Sequence, residues 1–199
     1  MVIWRLDHET ITCAHGATNV AAMSFELQPT LRSDRVTLRP LRADDFDALY
    51  AVAADAAIWE HHPETDRYRP DVFKTFFDEQ LASGGALVVI ANETRRVIGM
   101  TRFHGYDRDR SEIEIGWTFL ARSHWGGVYN GEIKRLMLTH AFRFVSTVVF
   151  LVDPRNYRSQ RAVGKIGAVR VGSRRDGAGR QSIAYAIDSV SFAARAAHL

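Results

Sequence analysis

Between Glu114 and Gly167 the sequence passes from a strand through a glycine-bearing turn into a helix, then a buried strand, then a second helix. The first strand is Glu114-Ile-Gly-Trp-Thr-Phe-Leu120 and the turn is Trp125-Gly-Gly-Val-Tyr-Asn-Gly131. A helix starting in that turn aims unpaired N–H groups and its positive dipole end back at the glycines. That geometry suits an anion, phosphate above all. The apolar run Val148 to Val152 then leads into Asn156-Tyr-Arg-Ser159, which opens the second helix. Two strand-to-helix junctions facing one ligand point to an enzyme with a phosphate-bearing cofactor.

The flanking sequence extends this unit in both directions. Arg35-Val-Thr-Leu-Arg-Pro-Leu41 alternates as an edge strand should, and Asp44 or Asp45 can cap a helix carrying Phe46, Leu49, Tyr50 and Val52. The loop Glu60-His-His-Pro-Glu64 interrupts the pattern. Asp71 opens a second helix with Phe73, Phe76, Phe77 and Leu81 inward, and Ser83-Gly-Gly85 stops it. Strands follow over Ala86–Ala91, Val97–His104 and Ser111–Leu120, joined by turns at 92–95 and 107–110. After the glycine turn, Ile133, Leu136, Met137, His140, Ala141, Phe144 and Val145 form a stripe of period 3.6 that predicts packing on the sheet. Val148 to Val152 is apolar on both faces, as a central strand is. The helix Asn156 to Ile166 ends at Gly167, and Val169–Gly172 with Ser182–Ile187 reads as a last hairpin. The predicted order is β-α-α-β-β-β-α-β-α-β-β, a single-domain α/β fold with a mixed central sheet, which neither a Rossmann fold nor a barrel has.

Bulk properties narrow the class further. At 199 residues and 46% hydrophobic content the chain suits one domain with a full core. Its one cysteine, Cys13, excludes an internal disulfide, and no apolar run is long enough to span a bilayer. Residues 1–23 lack an apolar signal core and read as a poorly ordered arm before a domain over 24–199, with Met23 an alternative start. These features place the protein in the cytoplasm, without a membrane partner. Charge is polarised: residues 42–79 hold four basic and ten acidic side chains, residues 153–180 eight basic and two acidic. Few aromatic side chains accompany the basic cluster, so a nucleic-acid partner is not expected. An anionic cofactor at one side and a cationic substrate at the other fit better.

The turn satisfies neither familiar phosphate loop. Gly126 and Gly131 have Walker A spacing, but Glu132 and Ile133 stand where Lys and Ser or Thr are needed, and Gly-x-Gly-x-x-Gly is absent. The three motifs in order instead resemble the GNAT superfamily of acetyl-CoA-dependent N-acetyltransferases, nearest the branch of ribosomal-protein N-terminal (alanine) acetyltransferases. The resemblance covers about 35–187 and rests on Glu114-Ile-Gly-Trp117, on Trp125-Gly-Gly-Val-Tyr-Asn-Gly-Glu132, and on Asn156, Ser159, Arg161, Lys165, Ile166 and Gly167. Val128 replaces a glycine of the loop, Asn130 a small residue, Gly164 a glutamate and Ala168 an aromatic. Val163 stands where many members carry a tyrosine acid.

The resemblance implies acetyl transfer from acetyl-CoA to a primary amine, without a metal. Backbone groups of Phe119, Leu120 and Ala121 would hold the pantetheine arm, and Trp125, Gly126, Gly127, Tyr129, Asn130 and Gly131 would form the phosphate loop. Asn156 would bond the arm's amides, with Arg158 and Arg161 in reach of phosphates. Glu114 is the candidate base and Glu112 the runner-up; with the tyrosine absent, Ser159 is the nearest candidate proton donor. Trp59, His61 and His62, beside Tyr68, lie where substrate loops of such folds occur, and Arg102 and His104 end a strand beside the cleft. His140 falls on the apolar stripe and reads as core. No histidine has a partner at zinc-ligand spacing. The acceptor is a protein N-terminal α-amine or a small-molecule amine, a homodimer is open, and the alternative is a catalytically idle acyl-CoA-binding or regulatory domain.

Overall fold

The computed structural model describes residues 24–176 and 179–196. The expected N-terminal arm and Cys13 lie outside the described residues. The strands are β1 (Leu31–Arg32), β2 (Val36–Pro40), β3 (Ala86–Ala91), β4 (Arg96–Asp107), β5 (Glu112–Leu120), β6 (Thr147–Val152), β7 (Val169–Arg175) and β8 (Gln181–Asp188). The helices are α1 (Phe46–Ala53), α2 (Pro70–Ala82), α3 (Val128–Ala141), α4 (Tyr157–Lys165) and α5 (Ser189–Ala196). All strands join one sheet in the order β1-β2-β3-β4-β5-β6-β8-β7, antiparallel everywhere except between β5 and β6. The predicted order therefore holds, with the short β1 and the C-terminal α5 added. Among the described residues no helix is long and apolar enough to cross a membrane.

Each face of the sheet is covered because the central strands are apolar on both sides. In β3, Leu87, Val89 and Ala91 pack toward the α3 side, while Ala86 and Val88 meet Phe73, Phe76 and Phe77 of α2. The α3 stripe is buried through Ile133, Met137, His140 and Ala141, with Leu138 and Lys134 joining them. Helix α3 ends at Ala141, so Phe144 and Val145 pack from the turn beyond it. His140 is core, as expected, and its Nε2 lies 2.8 Å from the Glu26 carbonyl.

Local chemistry shifted several boundaries. Asp45 does not cap α1 through its side chain; it lies under Arg39, 2.7 Å from Nη1, and accepts the Arg42 N–H at 2.8 Å. The preceding residues 43–45 tighten into a 3-10 turn. Helix α2 opens at Pro70 rather than Asp71, since a proline at the first helical position gives up only an N–H that would be orphaned anyway. The loop before it carries two 3-10 turns, Ala56–Ile58 and Thr65–Tyr68.

Two irregularities shape the centre of the sheet. β5 pairs with β6 only through Glu112, Ile113 and Glu114, although β5 runs on to Leu120 and β6 to Val152. The strands fork beyond Glu114, which leaves that edge of β5 without a neighbouring strand. Opposite, the β4–β5 register shifts between Met100 and Arg102, placing an extra residue on β5 where Trp117 adopts φ 51°. Such a left-handed turn is costly for a bulky residue and re-aims its neighbours.

Candidate active site

The fork, the start of α3 and the start of α4 converge, as the strand-to-helix junctions predict. At the first junction Gly126 takes φ 69° and Gly127 is the N-cap of α3, with no side chain bonded to the helix's first amides. Those N–H groups are available to an anion. Val128 does not obstruct them: its side chain is 55% exposed, and helix geometry begins at that residue. Asn130 and Gly131 lie within the first turn, and Tyr129 packs edge-on to His124. Glu132 is bonded to the backbone and side chain of Arg35, which ties α3 to the start of β2.

At the edge of β5 the expectation for Phe119 to Ala121 needs adjustment. The Leu120 carbonyl accepts the Trp125 indole N–H at 2.8 Å, and the Ala121 N–H donates to Ile98 at 2.8 Å. Phe119 is buried against Trp59 and the α2 aromatics. The Leu120 carbonyl and the Ala121 N–H are therefore already engaged within the protein.

The second junction is more committed than its sequence suggests. Asn156 caps α4, its Oδ1 accepting the Ser159 N–H at 3.0 Å, which leaves the side-chain amide N–H groups to donate. The Ser159 hydroxyl is half-buried and makes no hydrogen bond among the described residues. Arg158 stacks 3.8 Å over Trp125 and donates to the Ile58 carbonyl at 2.9 Å, so it pins the α3 loop to the 56–58 turn. Arg161 is exposed.

Glu114 is the central titratable group. It makes no hydrogen bond or ion pair among the described residues, and burial pushes its carboxyl up to about 7. Arg102 and Arg174 pull it down, while Asp176 and Glu112 push it up. Glu112, the runner-up, is differently placed: Arg174 holds both of its oxygens, one at 3.0 Å. Across the strand pair His104 faces Glu114, and its Nδ1 lies 2.8 Å from Arg102 Nη2. Arg102 stacks 4.2 Å over Trp117, reaches Gln80 at 3.3 Å, and has a buried Nε with no hydrogen-bond partner among the described residues. Arg102, His104, Glu114 and Trp117 thus form one wall.

The expected substrate loop divides in two. Trp59 is 2% exposed and donates its indole N–H to Ala53 at 2.8 Å, so it is a core residue rather than a contact surface. The sequence placed it beside His61 and His62 in the loop, but it follows the 3-10 turn Ala56–Ile58 and packs inward on Phe76 and Phe119. His62 packs on Trp59 with Nε2 3.0 Å from Arg67, and burial together with that cation draws it down to about 3. His61 is exposed.

Because the folded His62 binds its proton only near pH 3 and a free histidine near 6.5, the unfolded chain takes up more protons in between. Stability should fall as pH drops through that window. His62→Gln should flatten the slope in urea titrations between pH 6.5 and 4.5; an unchanged slope would assign it to other groups.

Charge across the cleft is less polarised than the sequence implied. Arg180 pairs with Glu64, Arg122 with Asp55, and Arg174 with Glu112. Only the Arg180–Glu64 pair, among those three, joins the basic segment to the acidic one.

Sequence reasoning missed Lys134, which is 5% exposed and bonded to Thr118 at 2.6 Å. A lysine next to Ile133 on the inward stripe was the available signal. It also missed the strained Trp117 and the Arg174–Glu112 pair, which depend on register between distant segments.

A forked mixed sheet beside uncapped helix amides makes a cleft suited to an anionic, phosphate-bearing ligand. The acetyltransferase (GNAT) domain family matches residues 35–169, and the chain belongs to it. An N-acetyltransferase p20 of Bacillus licheniformis, itself uncharacterised, is 27% identical over 154 residues, covering 74% of this chain and 86% of that protein. A GCN5-related N-acetyltransferase from Brucella melitensis superposes with TM-score 0.74 at 20% identity, over 84% of this chain and 81% of that one. RimJ of Mycobacterium smegmatis, solved with CoA-disulfide, gives 0.59 at 20% identity, over 78% and 82%. The chain is an acyltransferase of a family that uses acetyl-CoA.

Proposed function

We propose that the protein moves the acetyl group of acetyl-CoA directly to the α-amine of a peptide or protein N-terminus, with Glu114 as the base. The observation that supports this most is Glu114 itself. It is a carboxyl with no hydrogen-bond or ion-pair partner among the described residues, poised at about 7, at the point where β5 leaves β6. A base near neutrality both accepts a proton readily and is ionised often enough to act.

In this reading the first amides of α3, from Gly127 to Asn130, hold the pyrophosphate, flanked by Trp125, Gly126 and Gly131. The pantetheine arm lies along the free edge of β5. Asn156 donates to an arm carbonyl, and the Ser159 hydroxyl faces the end of the arm. Arg161 is free to reach phosphate, whereas Arg158 stays on Trp125. The acceptor approaches from the wall of Arg102, His104 and Trp117.

An α-amine suits that wall better than a polyamine. Arg102 and Arg174 already act on Glu114, so a second substrate cation beside it would be repelled. An N-terminal residue instead offers a carbonyl, which accepts hydrogen bonds from such donors. The acidic first half still supports a polycation as the second reading, although Asp45, Asp55, Glu64 and Asp78 are each paired with an arginine or lysine.

Rates of CoA release decide between them. Peptides beginning with Ala or Ser should exceed spermidine by about tenfold or more in kcat/KM, the scale on which a charged misfit is rejected. A preference for spermidine would overturn the α-amine assignment.

A further inference from the structure

Lys134 is the buried charge that the acid–base account above leaves unused. It lies on the second turn of α3, facing the sheet, and is 5% exposed. Nζ donates to Thr118 Oγ1 at 2.6 Å, lies 3.4 Å from Thr101 Oγ1, and sits 5.9 Å from the Phe150 ring centroid. Thr118 and Phe150 belong to the two strands of the fork, each beyond the last paired residues, Glu114 and Val149. The amine therefore bridges the fork at its floor. The two threonine hydroxyls lie 2.8 Å apart, and Thr101 also contacts Met137 Sδ at 3.3 Å. No carboxylate acts on Lys134 among the described residues; burial alone draws its amine down to about 7. Its third hydrogen has no oxygen acceptor among them.

A buried cation without a counter-charge is costly, and an apolar side chain of this length would pack as well. Placement at the fork gives the cost a use. In the family's reaction a thioester's sulfur departs with a full negative charge unless a proton meets it. The fork is where the arm of acetyl-CoA ends in the reading above, on which this inference rests.

We propose that Lys134 is the proton donor to the sulfur of the departing CoA. The acceptor nitrogen forms its bond to the acetyl carbon, the carbon–sulfur bond breaks, and its electron pair goes to sulfur. The Lys134 ammonium gives that sulfur a proton and becomes a neutral amine. The proton lost by the acceptor nitrogen passes to Glu114. Solvent then takes the proton from Glu114 and restores the one on Lys134. Ser159, on the opposite junction, contributes a hydrogen bond rather than the proton.

The test needs no knowledge of the acceptor. The thiolate fraction of CoA bound to the full chain is read near pH 6 by the rate of thiol alkylation in wild type, Lys134→Met and Lys134→Gln. Below about 7 Lys134 keeps its proton, and a cation beside the sulfur should raise that rate about tenfold in wild type over either variant. With a competent acceptor, Lys134→Met should lose about 10²-fold in kcat while the KM for acetyl-CoA stays nearly constant. Lys134→Met should melt no lower than wild type; were it to misfold, Lys134→Gln, which keeps a donor for Thr118, carries the same readout. Identical alkylation rates in wild type and variants near pH 6 overturn the proposal, whatever happens to kcat. Failure of wild type to bind CoA would sink the site assignment as well, and binding without a thiol difference sinks Lys134 alone.

Discussion

Replacing Glu114 by glutamine is expected to lower kcat by about 10²–10⁴-fold, the usual range for a general base, and to leave CoA affinity nearly unchanged. Glutamine keeps the shape and removes the basicity. The wild-type rate should rise with pH towards about 7, because burial holds the carboxyl there and only its ionised form accepts a proton, and should fall above it as Lys134 loses the proton it donates. The rising limb should vanish in the variant. Stability should move the other way. The folded carboxyl titrates near 7 and the unfolded one near its ordinary 4.5, so the folded chain binds more protons between those values. Its contribution is complete below pH 4.5 and is lost as pH rises through 7. Glu114→Gln should therefore be the more stable protein at pH 8, which a urea midpoint can check. Full activity in the variant would exclude Glu114 as the base. Glu112 would then be an awkward substitute, since Arg174 holds both of its oxygens.

The second large effect concerns the fork's support. Gly99 on β4 has φ 155°, and a Cβ there would lie 2.0 Å from the Phe119 carbonyl oxygen and 3.0 Å from Leu120. Neither neighbour can give easily, because one is backbone and the Leu120 carbonyl also anchors the Trp125 indole. Gly99→Ala should cost about 3 kcal/mol or more, in the range of forced overpacking, and weaken CoA binding in whatever protein still folds. Gly105, on the same strand, separates this clash from backbone handedness. It has φ 61° but nothing within 4 Å of an added Cβ. Gly105→Ala should lose only about 1 kcal/mol, the strain of a left-handed alanine. Equal losses at both sites, read from denaturant midpoints, would show that the approach to Phe119 has room to relax.

The sequence by itself determined the order of elements and the two junctions of the site. Both rest on local rules: the 3.6-residue stripe of α3, the two-sided apolarity of β3 and β6, the Asn156 cap and the glycines before α3 act within a few residues. Glu114 was marked by the resemblance of Glu114-Ile-Gly-Trp117 to a family motif, with Glu112 beside it on the same strand face. Tertiary structure alone decided what those side chains became. Trp59 turned into core once a 3-10 turn aimed it at α2, and Arg158 became a clasp because Trp125 and Ile58 come to it from two other segments. Glu112 lost its freedom to Arg174, which is 62 residues away. Lys134 was a charge on an apolar stripe until the fork of β5 and β6 gave it a place. Desolvation and ion pairing depend on which distant segments exclude water from a group. Neither spacing nor composition carries that information, so the chemistry of Glu114 and Lys134 emerged only when the sheet assembled around them.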